Sequence, residues 1–190
     1  MTISYRLGNF FLKHSGSQWK VAQRLIRKLF LRKNRNRIEF YRGQGAKIGK
    51  NVILGWDALG SEPFLVEIGD NVYISSDVRM FTHDGGVMQL YYMGVTEKKL
   101  DNLGKIKIGN NCFIGAESII LKNVTIGDNS IIGAGAVVTR SIPSGVVAVG
   151  IPARPIETIE EYYEKNKSNY DDTYEISLFD KYTYTLKHYC

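Results

Sequence analysis

Residues 106–139 read IKIGNNCFIGAESIILKNVTIGDNSIIGAGAVVT, and the spacing within them decides the architecture. An aliphatic side chain returns at every sixth position, at Ile108, Ile114, Ile120, Ile126, Ile132 and Val138. Four residues after each stands a small or β-branched side chain: Cys112, Ser118, Val124, Ser130, Ala136 and Ile142. Glycine follows the aliphatic residue at Gly109, Gly115, Gly127 and Gly133. A period of six fits neither the roughly 3.6-residue period of a helix nor the alternation of about 2 in a simple strand. It fits short strands joined by sharp turns, where glycine relieves backbone strain. Three hexads then make one triangular coil. Coils stack so that equivalent aliphatic residues bury one interior column, which is why several repeats are needed before any is stable.

The register extends upstream to Ile48 and Leu54, then to Ile68, Ile74 and Met80, with residues 60–67 reading as one hexad enlarged by two. The solenoid is thus expected to begin near residue 46 and to hold about four coils. Between Met80 and Ile106 the period is lost, and FTHDGGVMQLYYMGVTEKKLDNLGK is too long for a corner. It reads as a loop, residues 81–105, projecting from the coil, and long insertions of this kind in compact domains are often functional.

At 190 residues with 44% hydrophobic side chains, the chain suits one domain with appendages. Its net charge of +6 hides a gradient: residues 1–50 carry 13 Lys and Arg against one acid, and residues 157–190 carry 4 against 8. Cys112 and Cys190 show no zinc or disulfide spacing, which points to free thiols in a reducing compartment. Neither a run of 18 apolar residues nor a secretory leader is seen, so a cytoplasmic protein is expected. No phosphate-cradling GxxxxGK or dinucleotide GxGxxG sits between strand and helix, which argues against phosphoryl and hydride transfer.

The run IGNNCFIGAESIILKNVTIGDNSIIGAGAVVTRSIPSGVVAVGIPARPI, with its closing VTxxIPxxxVxxGxPAR, resembles the carboxy-terminal half of the hexapeptide-repeat acyltransferases, and within them the capsule and O-antigen O-acetyltransferases. The resemblance covers residues 46–156 and implies a mainly β fold. That fold is a left-handed parallel β-helix, an exception to the usual right-handed crossover, assembled as a homotrimer with active sites between subunits. Three segments follow: a basic helical segment at 1–45, the β-helix acyltransferase domain at 46–156, and a helix with a polar tail at 157–190.

The same resemblance implies that a loop histidine takes the proton from an acceptor hydroxyl as it attacks the thioester of acetyl-CoA. His83 is the one candidate in a suitable place, since His14 and His188 lie in the terminal segments. Imidazole suits the task near neutral pH, and no metal is required. The plain alternative is that HDGG is turn chemistry. Asp84, Glu117 or a backbone carbonyl are open as partners that orient His83. Glu117 reads otherwise as a solvated corner residue, or as a carboxylate for a sugar hydroxyl. By resemblance the backbone N–H of Ala116 holds the developing oxyanion. Cys112, at a small repeat position, reads as structural.

For the donor, the resemblance lays the pantetheine arm along Gly115 and the corner Gly133, Ala134 and Gly135. It places Thr139, Arg140 and Arg154 at the CoA phosphates, where guanidinium forks onto phosphate. Gly150 and Pro152 shape the end of the cleft and also terminate the solenoid.

Residues 17–33 place Trp19, Ala22, Leu25, Ile26, Leu29 and Phe30 at helical spacing, with Lys and Arg largely opposite. Two readings stay open: peripheral contact with an anionic membrane surface, or packing on the solenoid or a neighbouring subunit. Nucleic acid binding lacks a motif. Thr158, three residues before Glu161, predicts a capped helix.

The expected activity is therefore O-acetylation of a sugar hydroxyl of a surface polysaccharide or its precursor. The acceptor would be discriminated by residues 81–105. N-acylation of a nucleotide-linked amino sugar, acetylation of a small xenobiotic such as an antibiotic, and a trimeric scaffold are the alternatives. A γ-type carbonic anhydrase needs three histidines around zinc, which the repeat does not supply.

Overall fold

The hexads fold as strands of two to four residues at the sides of a triangular coil, with the periodic aliphatic residues pointing inward. The computed structural model describes residues 32–55, 58–176 and 178–189. The predicted basic helix of 17–33 lies outside these except for its last two residues.

Twelve strands are described. β1 is Lys47–Ile48, β2 Val66–Ile68, β3 Tyr73–Ile74 and β4 Arg79–Phe81. β5 is Ile106–Ile108, β6 Phe113–Ile114, β7 Ile119–Leu121 and β8 Val124–Ile126. β9 is Ile131–Ile132, β10 Val137–Val138, β11 Val146–Val149 and β12 Arg154–Thr158. They form three sheets, ordered β1-β2-β5-β8, β4-β7-β10 and β3-β6-β9-β11-β12. Every pairing is parallel except the closing β11–β12 hairpin. From β2 to β10, strands three apart in sequence are thus neighbours in space, as a three-sided coil requires.

Ile48, Ile68, Ile108 and Ile126 stack in register, so successive coils are 20, 40 and 18 residues long. The first surplus is the enlarged corner, which holds a short 3-10 turn at Pro63–Leu65. The second is the insertion, and it is more than a loop: a seven-residue helix, Gly86–Tyr92, lies within it. The periodic positions Ile74, Ile114, Ile120, Ile126, Ile132 and Val138 are completely buried. Glycine at 115 is set by close approach, because a Cβ there would meet the Ala134 nitrogen at 2.4 Å.

One corner carries a ladder that the aliphatic register does not reveal. Asn51, Asn71, Asn111 and Asn129 all adopt φ between 53° and 56°. Each amide donates to the next, at 3.0, 2.9 and 2.8 Å. Asparagine tolerates the left-handed conformation better than most residues, and its side chain serves as both donor and acceptor. Asn111→Ala loses two ladder bonds and leaves in the left-handed conformation a residue without the short polar side chain that makes asparagine tolerate it. It is expected to cost about 2 to 3 kcal/mol in urea denaturation, with Asn111→Gly recovering the backbone share. Equal losses for Ala and Gly would assign the whole effect to the ladder.

A helix through residues 32–43 closes the first coil: Ile38 and Tyr41 join the core, and the Arg42 guanidinium donates to the carbonyls of Ile48 and Gly49 at 2.7 and 2.9 Å. Such capping covers an otherwise open solenoid end. At the other end the predicted capping box forms at Thr158 and Glu161, starting the helix Ile159–Asn166. Residues 36–167 are one compact unit. Residues 32–35 and 168–190 belong to a second, in which the helix Leu178–Tyr189 carries Tyr184, whose hydroxyl donates to Asp171 at 2.8 Å. No helix among the described residues is long and apolar enough to cross a membrane.

Candidate active site

The chain leaves the third side of the coil after Phe81 through a narrow neck. Thr82 is buried and its carbonyl accepts from Gly104; His83 bridges Leu103 in antiparallel fashion, and the Asp84 N–H donates to Asn102. Lys122 braces the neck by donating to the Asn102 side chain at 2.8 Å. His83 is therefore held by paired backbone on the rigid coil, while the rest of the insertion extends beyond it.

The imidazole meets the enlarged corner of the preceding coil. His83 Nδ1 lies 2.9 Å from Glu62 Oε2 and 3.5 Å from Ser61 Oγ. The Thr82 hydroxyl donates to the same Glu62 oxygen. These bonds hold the Glu62 carboxyl below its ordinary range, the Thr82 hydroxyl contributing most and His83 next. A carboxylate only accepts, so in the neutral ring Nδ1 carries the hydrogen and Nε2 presents its lone pair. Because the folded-state value is depressed, this contribution to stability is present above the ordinary carboxylate range and lost as pH falls through the lowered value.

Neither sequence-proposed carboxylate fills this place. Asp84 Oδ1 accepts from the Gly86 N–H at 3.0 Å, shaping the start of the inserted helix. Glu117 sits at a corner with φ of 61° and lines a cleft with Asp77, Arg79 and Ile119. Glu62 was not singled out from the sequence. Its one signal was the oversized hexad, whose extra length places an acid opposite the neck.

Ala116 lies at the corner before β7; its carbonyl accepts from Gly135 at 2.8 Å, and its own N–H makes no hydrogen bond among the described residues. In the β4–β7 register, Arg79 faces Ile119 and Phe81 faces Leu121. His83 thus follows the end of β4 and Ala116 precedes the start of β7, about seven residues apart along the strand direction and on the order of 20 Å at a strand rise of about 3.3 Å per residue. One chain does not bring the two together.

The residues expected at the donor lie on β10, the corner before it and the GIPAR segment. Gly133 and Ala134 precede Gly135, which has φ of 69° and open space where a Cβ would be. The Val137 N–H donates to Gly150, and the Ala153 N–H to Val137, so the GIPAR segment runs beside β10. That places Gly150, Pro152 and Arg154 along the strand that leads to Thr139 and Arg140. The Arg140 and Arg154 guanidiniums form no ion pair among the described residues. Cys112 is buried, and burial pushes its thiol up, away from nucleophilic use. No group of three or more potential metal ligands occurs among the described residues.

Residues 105–140 match the bacterial transferase hexapeptide family, described as six repeats. The chain is 41% identical over 166 residues to the protein CapG of Staphylococcus aureus, spanning 85% of this chain and 95% of that one. It is 31% identical over 166 residues to galactoside O-acetyltransferase of Escherichia coli strain K12, spanning 79% and 76%. Among solved structures, galactoside acetyltransferase in complex with coenzyme A superimposes with a TM-score of 0.50 and 34% identity over 68% of this chain and 62% of that chain. A maltose O-acetyltransferase from Clostridium difficile 630 gives 0.52 at 25% identity, covering 82% and 83%.

Proposed function

The chain belongs to the bacterial hexapeptide transferases and is an acetyl-CoA-dependent acyltransferase, and from that premise we propose that it O-acetylates a sugar hydroxyl of a surface polysaccharide or its precursor. The observation that carries the mechanism is the Glu62–His83 pair at 2.9 Å, which leaves Nε2 of an exposed imidazole free to take a proton. Similarity to a galactoside O-acetyltransferase supports a sugar hydroxyl as the acceptor.

In the proposed reaction, Nε2 of His83 accepts the acceptor's hydroxyl proton as its oxygen attacks the thioester carbonyl of acetyl-CoA. A C–O bond forms, and the tetrahedral oxyanion is held by the Ala116 N–H. The C–S bond then breaks, and the departing CoA sulfur takes the proton back from the imidazolium, giving free thiol and sugar ester. Arg140 and Arg154 hold the CoA phosphates. The pantetheine runs past Gly115 and the bare Gly133–Gly135 corner, and Gly150 and Pro152 shape the cleft's end. Asp84 serves the neck rather than the proton transfer.

His83 and Ala116 lie beyond opposite ends of the strands of one sheet, and this supports a site assembled from two neighbouring chains of a homotrimer. The outer faces agree with that reading: the β1-β2-β5 side presents Lys47, Glu67 and Lys107 to solvent, whereas the adjoining side carries the exposed aromatic pair Tyr73 and Phe113. Left-handed coiling belongs to the same proposal, as does a cytoplasmic location, where acetyl-CoA is available. Contact of the basic amino-terminal segment with the membrane's inner face would bring the enzyme to lipid-linked acceptors.

The test is thiol release from acetyl-CoA with sugars, nucleotide sugars, amino sugars and isolated surface glycan. Turnover confined to an amine would favour N-acylation, and no turnover with any sugar or glycan would remove the sugar O-acetylation reading. In the same assay Glu62→Gln is expected to lower kcat on the order of 10- to 10²-fold, as loss of an orienting partner does, at unchanged KM for acetyl-CoA. Nitrogen-15 NMR of His83 should show the Nδ1–H tautomer in the wild type and its loss in Glu62→Leu, since the Gln carboxamide oxygen can still accept from Nδ1. An unchanged tautomer would assign Glu62 a packing role only.

A further inference from the structure

Beside the proposed oxyanion amide, the corner between the second and third sides of the coil opens into a cleft of about 360 Å³ lined by Asp77, Arg79, Glu117 and Ile119. Asp77 and Glu117 occupy the same corner of successive coils, with φ of 58° and 61°. Arg79 and Ile119 are register neighbours on β4 and β7. The cleft therefore has an apolar wall at Ile119, a guanidinium beside it and two carboxylates at one rim. None of the three charges has an ion pair or side-chain hydrogen bond among the described residues. In the next coil the equivalent corner is Gly135, bare and uncharged. The column of corners thus divides: glycine where the donor arm is proposed to run, carboxylates on the side away from it.

We propose that this cleft seats the acceptor's sugar ring and selects uncharged glycosides against uronic acids. The proposal rests on the O-acetyltransferase reading for calling the ligand an acceptor. Carboxylates accept from adjacent ring hydroxyls, Arg79 donates to a ring or glycosidic oxygen, and Ile119 packs against the C–H face of the pyranose. Two carboxylates against one guanidinium give the cleft a net charge of −1 at neutral pH. Like charge across such a contact is unfavourable, so a uronate is disfavoured and a phosphate-bearing portion of CoA does not belong there. Glu117 directly follows Ala116, which sets a ring held in this cleft next to an acyl group held at that amide.

Saturation-transfer NMR on the intact protein tests this with two matched pairs, methyl β-galactoside against its uronic acid and methyl β-glucoside against its uronic acid. At least one neutral glycoside should receive transfer, and its uronate should bind about tenfold more weakly. The double variant Asp77→Asn, Glu117→Gln should lose that preference while its affinity for acetyl-CoA, measured by calorimetry, stays constant. Silence of all four glycosides, equal binding of neutral and acidic partners by the wild type, or a change in acetyl-CoA affinity alone would overturn the proposal. So would a changed oligomeric mass in the variant, because the three charges would then pair with another copy of the chain. Sugar binding without thiol release would instead sink the sugar O-acetylation reading and leave the cleft standing.

Discussion

Substituting His83 by alanine is expected to lower kcat for acetyl transfer by at least about 10²-fold, the low end of what a positioned general base contributes. The expectation rests on what the side chain touches. Its Nδ1 is committed to Glu62, its own backbone is pinned to Leu103, and 42% of the side chain remains exposed. A residue so exposed contributes little to the core, so the variant should fold, keep its oligomeric state and bind acetyl-CoA as before. The loss should therefore fall on kcat, with the KM for acetyl-CoA constant, as for a group whose main work is in the transition state. Added imidazole should restore part of the rate, since alanine leaves space where the ring stood. A variant with full activity would mean that HDGG is only a turn and that another base must be sought. A variant that loses acetyl-CoA binding would place His83 in the donor site instead.

How much of this was legible beforehand follows from what repeats and what does not. The column of Ile108 to Val138 could be read directly because burial imposes one residue type at one spacing, and the structure stacks those residues as expected. The enlarged corner at 60–67 and the insertion after Met80 were visible as breaks in that spacing. The helix within the insertion was not, because Gly86–Tyr92 has no buried side to impose a periodic pattern. Glu62 escaped for a different reason. It meets His83 across one coil, a separation of 21 residues set by the first coil's excess length, and no local pattern encodes that distance. The pairing of Asp77 with Glu117 is more distant still, since it spans the 40-residue coil that carries the insertion. Aliphatic register is a property of each hexad; side-chain partnership between corners depends on the length of everything between them.

The column itself makes the sharpest stability prediction. Ile120 is completely buried, with Met80 below it on β4 and Val138 above it on β10, each in register. Ile120→Ala removes three carbons between two rows whose spacing is fixed near 4.8 Å by backbone hydrogen bonds, so the walls cannot close on the gap. The cost is expected in the upper part of the range for such truncations, about 3 to 5 kcal/mol in urea denaturation at fixed protein concentration. Ile48→Ala provides the comparison. Ile48 is 8% exposed and pairs with a strand on one side only, β2, and its neighbourhood is free to relax toward the capping helix, so about 2 kcal/mol is expected there. If the two substitutions cost the same, the interior is not a rigid column and the stacked register is not what sets stability. If Ile120→Ala is the more costly, its damage should also reach function. β4 leads into the neck that holds His83, and β7 follows the corner that holds Ala116 and Glu117. Loosening the layer between them releases the proposed base, the oxyanion amide and the cleft from one frame.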